Sequence, residues 1–477
     1  MPKTTTFADV QLDVAPGSAR VQAAPDSDTP FRILVLGDFS GRESRGVREP
    51  EGIRQRKPIP MDRDNFESVM ERLAVRLELP YGDDSGRRLG IDFTELDDFL
   101  PDRLYERLDL FAESRQARSE PPPRRAAAAS PARSVEPTAA PARPSGDLLG
   151  SILEETAERS ARSSDPLASY IDRIMEPHLE PKGDPDLPAW IAQVDEAASQ
   201  QMRAVMHHPS FQALEAAWRG LFFLVRHAET GPDLKIYILD VSKEELEADL
   251  RGTDHLPGTG LYEVLVRQTV GTPGAHPWAV CVGDYLVSPE RAGDIDLLAR
   301  VALLAAEAGT PFLAGTRARW SEGAEANWEV LRELPESAYV GIATPRFLLR
   351  LPYGSRTDRV EQFDFEEMPE PRHQTYLWGN PAFFCATLLA AAFAEEGWSM
   401  RAGTACEIRG LPIHTYEQDG ETKMMPPAEH WLTMEAVEGL VERGLMALIS
   451  IRDSDAVRVA RFQSVRRPLA ALAGRWG

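Results

Sequence analysis

Two adjacent histidines, His207 and His208, precede a proline in "HHPSFQALEAAWRGL" (207–221), and the same run carries Glu215 and Arg219. Imidazoles and a carboxylate could hold a metal or move a proton, so spacing decides. A chelating helix places its histidines three or four residues apart on one face. Adjacent residues point in different directions, and nearby carboxylates do not repair that geometry. Glu215 and Arg219 stand at i, i+4 with the acid first, the favourable order for an ion pair on a helix surface. Pro209 suits the first helical position, where its missing N–H costs nothing. Phe211, Leu214, Trp218, Leu221, Phe222 and Val225 then fall on one broad apolar face. The stretch reads as a packing helix, with Phe211, Leu214, Trp218 and Arg219 as its structural residues.

Other motifs fail in their own ways. "GDFSG" places Ser40 in G-x-x-S-G, whereas a nucleophile elbow needs G-x-S-x-G and a histidine partner, and residues 1–118 contain no histidine. "DRDNF" begins like a calcium loop from Asp62, but Glu67 stands where glycine is required and Leu73 where a carboxylate is. "LPGTGLYEVL" sets two close glycines before a helix without the lysine of a P-loop or the third glycine of a dinucleotide loop. Cys281 lies inside an apolar strand pattern and reads as a structural thiol. Arg346 and Arg350, in "YVGIATPRFLLRLPYG", have no histidine, serine or carboxylate at motif spacing, so charge pairing is their expected role. No motif joins a nucleophile to a base, which leaves a hydrolase on an α/β sheet as a remote alternative. No catalytic, cofactor-binding or metal-ligating residue is expected, and no cofactor.

The elements that carry these residues alternate. "FADVQLDV" alternates Val10, Leu12 and Val14 with polar residues, as a half-buried strand does, and "FRILVLGDFSG" (31–41) is a buried strand entering a turn. "MDRDNFESVMERLAVRLEL" (61–79) predicts a helix capped at Asp64 or Asn65, with Phe66, Val69, Met70, Leu73 and Leu77 at helical spacing. A strand, a turn around Asp97–Asp98 and a helix from Pro101 follow, the helix carrying Leu104, Leu108 and Phe111 on one face. "GDLLGSILEETAERS" (146–160) has Asp147 as N-cap and an apolar stripe of Leu148, Leu149, Ile152 and Leu153. That stripe serves either a partner or its own domain. "LASYIDRIMEPHLE" and "PAWIAQVDEAASQQMRAVMHH" continue as helices. "DLKIYILDVS" reads as a strand entering a helix capped at Ser242, "WAVCVGDYLV" as a central strand, "DIDLLARVALLAAEAG" as a buried helix stopped by Gly309, and "TPFLAGT" as the next strand. Later, "YLWGNPAFFCATLLAAAFAEEGW" reads as a buried helix that includes Trp378 near its start. This rhythm predicts an α/β fold with a mostly parallel core.

Composition bounds the setting. The 477 residues carry a net charge of −22, which disfavours nucleic-acid binding because phosphate neutralisation needs clustered lysine and arginine. No apolar run reaches the ~20 residues that span a bilayer. The N-terminus lacks the apolar core of a secretory signal, and three widely spaced cysteines, Cys281, Cys385 and Cys406, suit a reducing cytoplasm. Residues 121–146 contain seven prolines and eight alanines, with Val135 the only sizeable apolar residue, and read as an exposed linker.

In the order in which they occur, "FRILVLGDFSG", "RKPIPMDRDNFESVMERL" and "IDFTELDDFLPDRL" resemble the small sheath subunit of bacterial type VI secretion systems, the TssB (VipA/ImpB) family. "ASQQMRAVMHHPSFQALEAAWRGL", "VGDYLV", "PFLAG", "YVGIATPRFLLRLPYG", "LWGNPAFFCATLLAAAF", "GWSMR" and "LPIHTY" resemble the large sheath subunit, the TssC (VipB/ImpC) family. The chain is therefore read as a natural fusion: a small-subunit-like module at 1–118, a linker at 119–146, a helical segment at 147–190 and a large-subunit-like body at 191–477.

The resemblance implies an intertwined sheath-subunit core, a mixed sheet flanked by helices, and no enzymatic activity. In the family the two subunits interlock and polymerise as a helical tube around an inner tube, whose expulsion follows contraction. Implied partners are other sheath subunits, the inner tube protein, baseplate components and an AAA+ unfoldase, which grips a helix at the place of "LLGSILEE" here. The family's large subunit continues well beyond "DAVRVARFQSV", whereas this chain stops twelve residues past Val465. The expected loss is of C-terminal strands that pair with neighbours, while a donor-like strand, Val10, Leu12 and Val14, is present. Two readings follow: a sheath subunit, or a non-polymerising cap, baseplate adaptor or assembly regulator.

Overall fold

The computed structural model describes residues 3–7, 10–14, 25–80, 88–119, 187–253, 255–317 and 324–476. Strands β1 (Lys3–Phe7) and β2 (Val10–Val14) form an antiparallel hairpin, with Phe7 opposite Val10. The sheet strands that follow are β3 (Phe31–Gly37), β4 (Ile59–Met61), the hairpin β5 (Val75–Pro80) and β6 (Arg88–Phe93), and β7 (Leu234–Asp240). Then come β8 (Val280–Val287), β9 (Phe312–Thr316), β10 (Val340–Thr344), and the short pair β11 (Phe347–Leu348) and β12 (Trp378–Gly379). The last are β13 (Glu407–Ile408), the ribbon β14 (His414–Gln418) and β15 (Glu421–Met425), β16 (Leu445–Ser450) and β17 (Val457–Val459).

Nine of these strands make one sheet, in the order β13-β17-β16-β10-β9-β8-β3-β7-β4. The run from β16 to β7 is parallel, and the strands at both margins turn antiparallel. A parallel sheet needs helices on both faces, so its strands are apolar throughout rather than alternating. β3 shows how this works. Phe31, Ile33 and Val35 enter the core on one face, and Leu34 and Leu36 enter the core on the other.

The first face is covered by α1 (Phe66–Leu73), α2 (Pro101–Arg107), α4 (Leu187–Met206) and α5 (Pro209–His227), with α3 (Ala112–Ser119) set against α4. The second is covered by α6 (Lys243–Arg251), a π-helical turn Glu263–Val270, α7 (Ala292–Ala308) and α8 (Ala324–Arg332). Helix α9 (Pro381–Glu396) returns to the first face and α10 (Met434–Glu442) to the second. Local signals place several ends. Ser242 and Glu245 close a reciprocal capping box on α6, and Gly309, in the left-handed region at φ 62°, stops α7.

Two expected helices are shorter than their periodicity suggests. The helix expected over 61–79 ends at Leu73, because Ala74 turns left-handed (φ 48°) and Val75, Leu77 and Leu79 then alternate into the core as β5. Those residues satisfy both a 3.6 and a 2.0 period, and pairing with β6 decides for the strand. The helix from Pro101 breaks at Leu108, which is extended (ψ 132°), although Leu104, Leu108 and Phe111 are all buried as expected. "GDLLGSILEETAERS" with Leu148, Leu149, Ile152 and Leu153, "LASYIDRIMEPHLE" and the linker lie outside the described residues.

Candidate functional site

β3 is the junction between the two parts of the chain. It pairs with β7 along its whole length, Phe31 to Leu234 through Gly37 to Asp240, and with β8 from Ile33–Val280 to Leu36–Gly283. A strand from the N-terminal part thus fills a slot between two strands from the C-terminal part. α5 closes the same junction from the first face. Its Trp218 is fully buried, donates its indole N–H to the Phe39 carbonyl at 2.8 Å, and meets the rings of Phe39 and Phe66 edge-on. Phe211, one helical stretch earlier, packs edge-on against Phe93 and Phe99. Leu214 is buried in the same core. The packing helix expected from sequence is present, and what it packs on is the N-terminal part.

Charged groups lock the carboxyl ends of these strands. Glu245, at the start of α6, is fully buried and accepts from the guanidinium of Arg42, at 3.0 Å, and from that of Arg56, at 2.7 Å. It also accepts the backbone N–H groups of Glu49 and Ser242. Burial alone would raise its carboxyl pKa, but Arg56, the Glu49 N–H, Arg42 and the Ser242 N–H bring it down to about 2. Asp240, ending β7, accepts the N–H groups of Phe39 and Ser40 and the Ser40 hydroxyl at 2.8 Å. Two further carboxyls form no ion pair of this kind among the described residues. Burial pushes Asp38 up to about 6, helped by Asp240, and pushes Asp284 up to about 7, helped by Asp38.

A second charge cluster corrects the expectation for Glu215 and Arg219. They do pair, at 2.7 Å, but Glu215 is wholly buried rather than on a surface. The reason is Arg350, which donates to Glu215 at 2.8 Å and to Glu367 at 2.7 Å. Arg219 also donates to the Tyr353 hydroxyl at 3.1 Å. Burial would raise Glu367, yet Arg350, His207 and the Tyr353 N–H hold it at about 2. Arg346 forks onto Glu429, so both arginines pair with charge as expected. Trp378, in β12, is buried and donates to the His373 carbonyl at 3.0 Å. His208 caps α5, its Nδ1 accepting the Ser210 N–H, and His207 faces Glu367 at 3.5 Å.

The rejected motifs have structural jobs. The Ser40 hydroxyl is given to Asp240. The amides at "GTGL", which an anion would need, are taken by the Asp249 carboxylate at 2.7 Å from Gly260 N and 3.0 Å from Leu261 N. Cys281 and Cys385 are buried, and burial drives their thiols up, away from the reactive thiolate. Of the expected partner-facing residues, Val10, Leu12 and Val14 form β2, paired with β1. The Arg42–Glu245–Arg56 lock had no sequence signal, since Glu245 lies 203 residues from Arg42 and 189 from Arg56.

Residues 9–120 match the family described as Type VI secretion system, VipA, VC_A0107 or Hcp2. Residues 188–325 and 318–466 match VipB, the EvpB/VC_A0108 tail sheath N-terminal domain. The chain belongs to the tail sheath family. It fuses the two sheath components, VipA-like and then VipB-like, in a single polypeptide. The Type VI secretion system sheath protein TssC1 of Pseudomonas aeruginosa is 34% identical over 307 residues, covering 58% of this sheath-family chain and 61% of the relative. The chain thus spans about three fifths of the length of that curated relative. The junction acquires a meaning from this assignment: β3 lies in the VipA-matching part, and β7 and β8 lie in the VipB-matching part. Among the described residues, no helix is long and apolar enough to cross a membrane.

Proposed function

We propose that this chain is a non-enzymatic structural subunit of a type VI secretion contractile sheath, acting in the cytoplasm and assembling around an inner tube. The observation that carries the reading is the seat of β3 between β7 and β8. Neither sheath component completes the sheet alone, so each chain supplies one finished building block with a fixed one-to-one ratio of the two. In this reading residues 1–118 are the small-subunit-like module, 119–146 the linker, 147–190 a helical segment and 191–477 the large-subunit-like body. Its partners are further copies of itself or other sheath subunits, the inner tube, baseplate components and an AAA+ unfoldase. The β1–β2 hairpin, with Val10, Leu12 and Val14, is the element offered to a neighbouring subunit, by strand addition to a sheet edge.

The test is negative-stain electron microscopy with mass photometry on the purified full-length chain, alone and with inner tube protein. Tubes or cogwheel-like rings are expected. A particle of single-chain mass under every condition would overturn the sheath reading in favour of a cap, an adaptor or a regulator.

A further inference from the structure

Away from the junction, two loops bring a mixed set of donors together. His373 opens a short 3₁₀ turn ahead of β12, and Glu429 and His430 precede α10, more than fifty residues later. One donor atom from each of the three residues lies within 4.8 Å of the others. The imidazoles of His373 and His430 are stacked, 5.0 Å between centroids and 7° apart in plane. The Glu429 carboxylate is 3.7 Å from His373 Nε2, and that nitrogen also meets the Glu429 carbonyl oxygen at 3.2 Å, so His373 must give up this bond or present Nδ1 to ligate.

The surroundings orient two of the three donors. Trp378 stacks on His373 at 5.3 Å and donates its indole N–H to the His373 carbonyl, fixing both ring and backbone. Arg346 holds Glu429 through Nε at 3.0 Å and Nη2 at 2.6 Å, and the Glu429 N–H returns to the Arg346 carbonyl at 2.8 Å. Each carboxylate oxygen has two lone pairs, so Glu429 can accept the guanidinium and still ligate. Hydrogen-bonded carboxylates and histidines pinned by a second group are the usual support of a metal site.

We propose that His373, Glu429 and His430 bind a borderline divalent transition ion of the zinc class, with solvent completing the shell. Two imidazoles and one carboxylate suit such an ion, whereas magnesium and calcium seek all-oxygen sets. Tetrahedral zinc, with bonds of about 2.0–2.1 Å, needs its donors about 3.4 Å apart. The stacked rings must therefore turn out of parallel, through the soft torsion that joins ring to backbone. The positive Arg346 beside Glu429 opposes the ion, which makes this a modest, exchangeable site. When filled, it staples the loop before β12 to the loop before α10, next to the exposed side chains of Trp431 and Met434.

Isothermal titration of the untagged full-length chain with zinc chloride tests this, against magnesium chloride and against H373Q and H430Q, which keep side-chain bulk. Thermal unfolding in chelator verifies that both variants fold as the parent does. Saturable uptake of one zinc per chain is expected, weakened at least about tenfold by either variant, with no response to magnesium. Absence of zinc uptake, uptake unchanged in both variants, or equal uptake of magnesium would overturn the assignment.

Discussion

Arg350 stands between Glu215 and Glu367, its guanidinium largely and both carboxylates almost wholly removed from water. Removing one member of a buried pair costs about 3–5 kcal/mol, because the carboxylates left behind lose their partner but not their burial. Arg350→Ala should therefore lower the unfolding free energy by that order, read from denaturant titration, and Arg219→Ala by less, since Glu215 keeps Arg350. Equal small losses in both variants would show that the cluster is not held by charge. Asp38 and Asp284 act with the opposite sign. Their folded pKa values, about 6 and about 7, lie above the ~3.9 of an unfolded aspartate. Between about pH 4 and 7 the unfolded chain gives up protons that the fold retains, so this contribution falls as pH rises and levels off above about 7. Asp284→Asn should flatten that slope and raise stability at pH 8, read from melting temperatures across the range. A slope unchanged in the variant would place the titration elsewhere.

Helix contacts carry the next level. Gly220 in α5 lies against the ring of Phe383 in α9, where an added Cβ would come within 2.6 Å of two ring atoms. Gly220→Ala should cost about 1–3 kcal/mol through overpacking, measurable as a drop in melting temperature. An unchanged melting temperature would mean that α5 and α9 can separate freely, contrary to their shared core. At this level much of the structure was legible beforehand. The α6 capping box, the Gly309 stop of α7 and the proline entry of α5 are local signals, because the groups that satisfy each helix end are neighbours in sequence. The 61–79 segment reads as one helix because eight residues of helix run straight into a strand of compatible period, and only β6 shows which pattern is used.

For the whole molecule, the seat of β3 means that the two sheath components are joined by main-chain hydrogen bonds on both sides of that strand. The two ends of residues 120–186 also meet. Trp190 in α4 donates its indole N–H to the Ala117 carbonyl at 3.0 Å, and Arg118 pairs with Asp195. Residues 120–186 therefore leave and rejoin the described fold at adjoining points. A protease site placed between 121 and 146, once cut, should leave both fragments in one particle of unchanged mass by size exclusion and native mass spectrometry. Separation of the fragments would show that the covalent link is what holds them.

Sequence alone determined the apolar strands, the helix caps, the two sheath resemblances and the packing role of Phe211, Leu214 and Trp218, because each rests on residues close together in the chain. Tertiary structure alone decided that β3 lies between β8 and β7, that Glu215 is buried, and that Arg42 and Arg56 converge on Glu245. Parallel strands with near-identical apolar runs are interchangeable by pattern, and whether a charge can leave water depends on a partner brought from far along the chain.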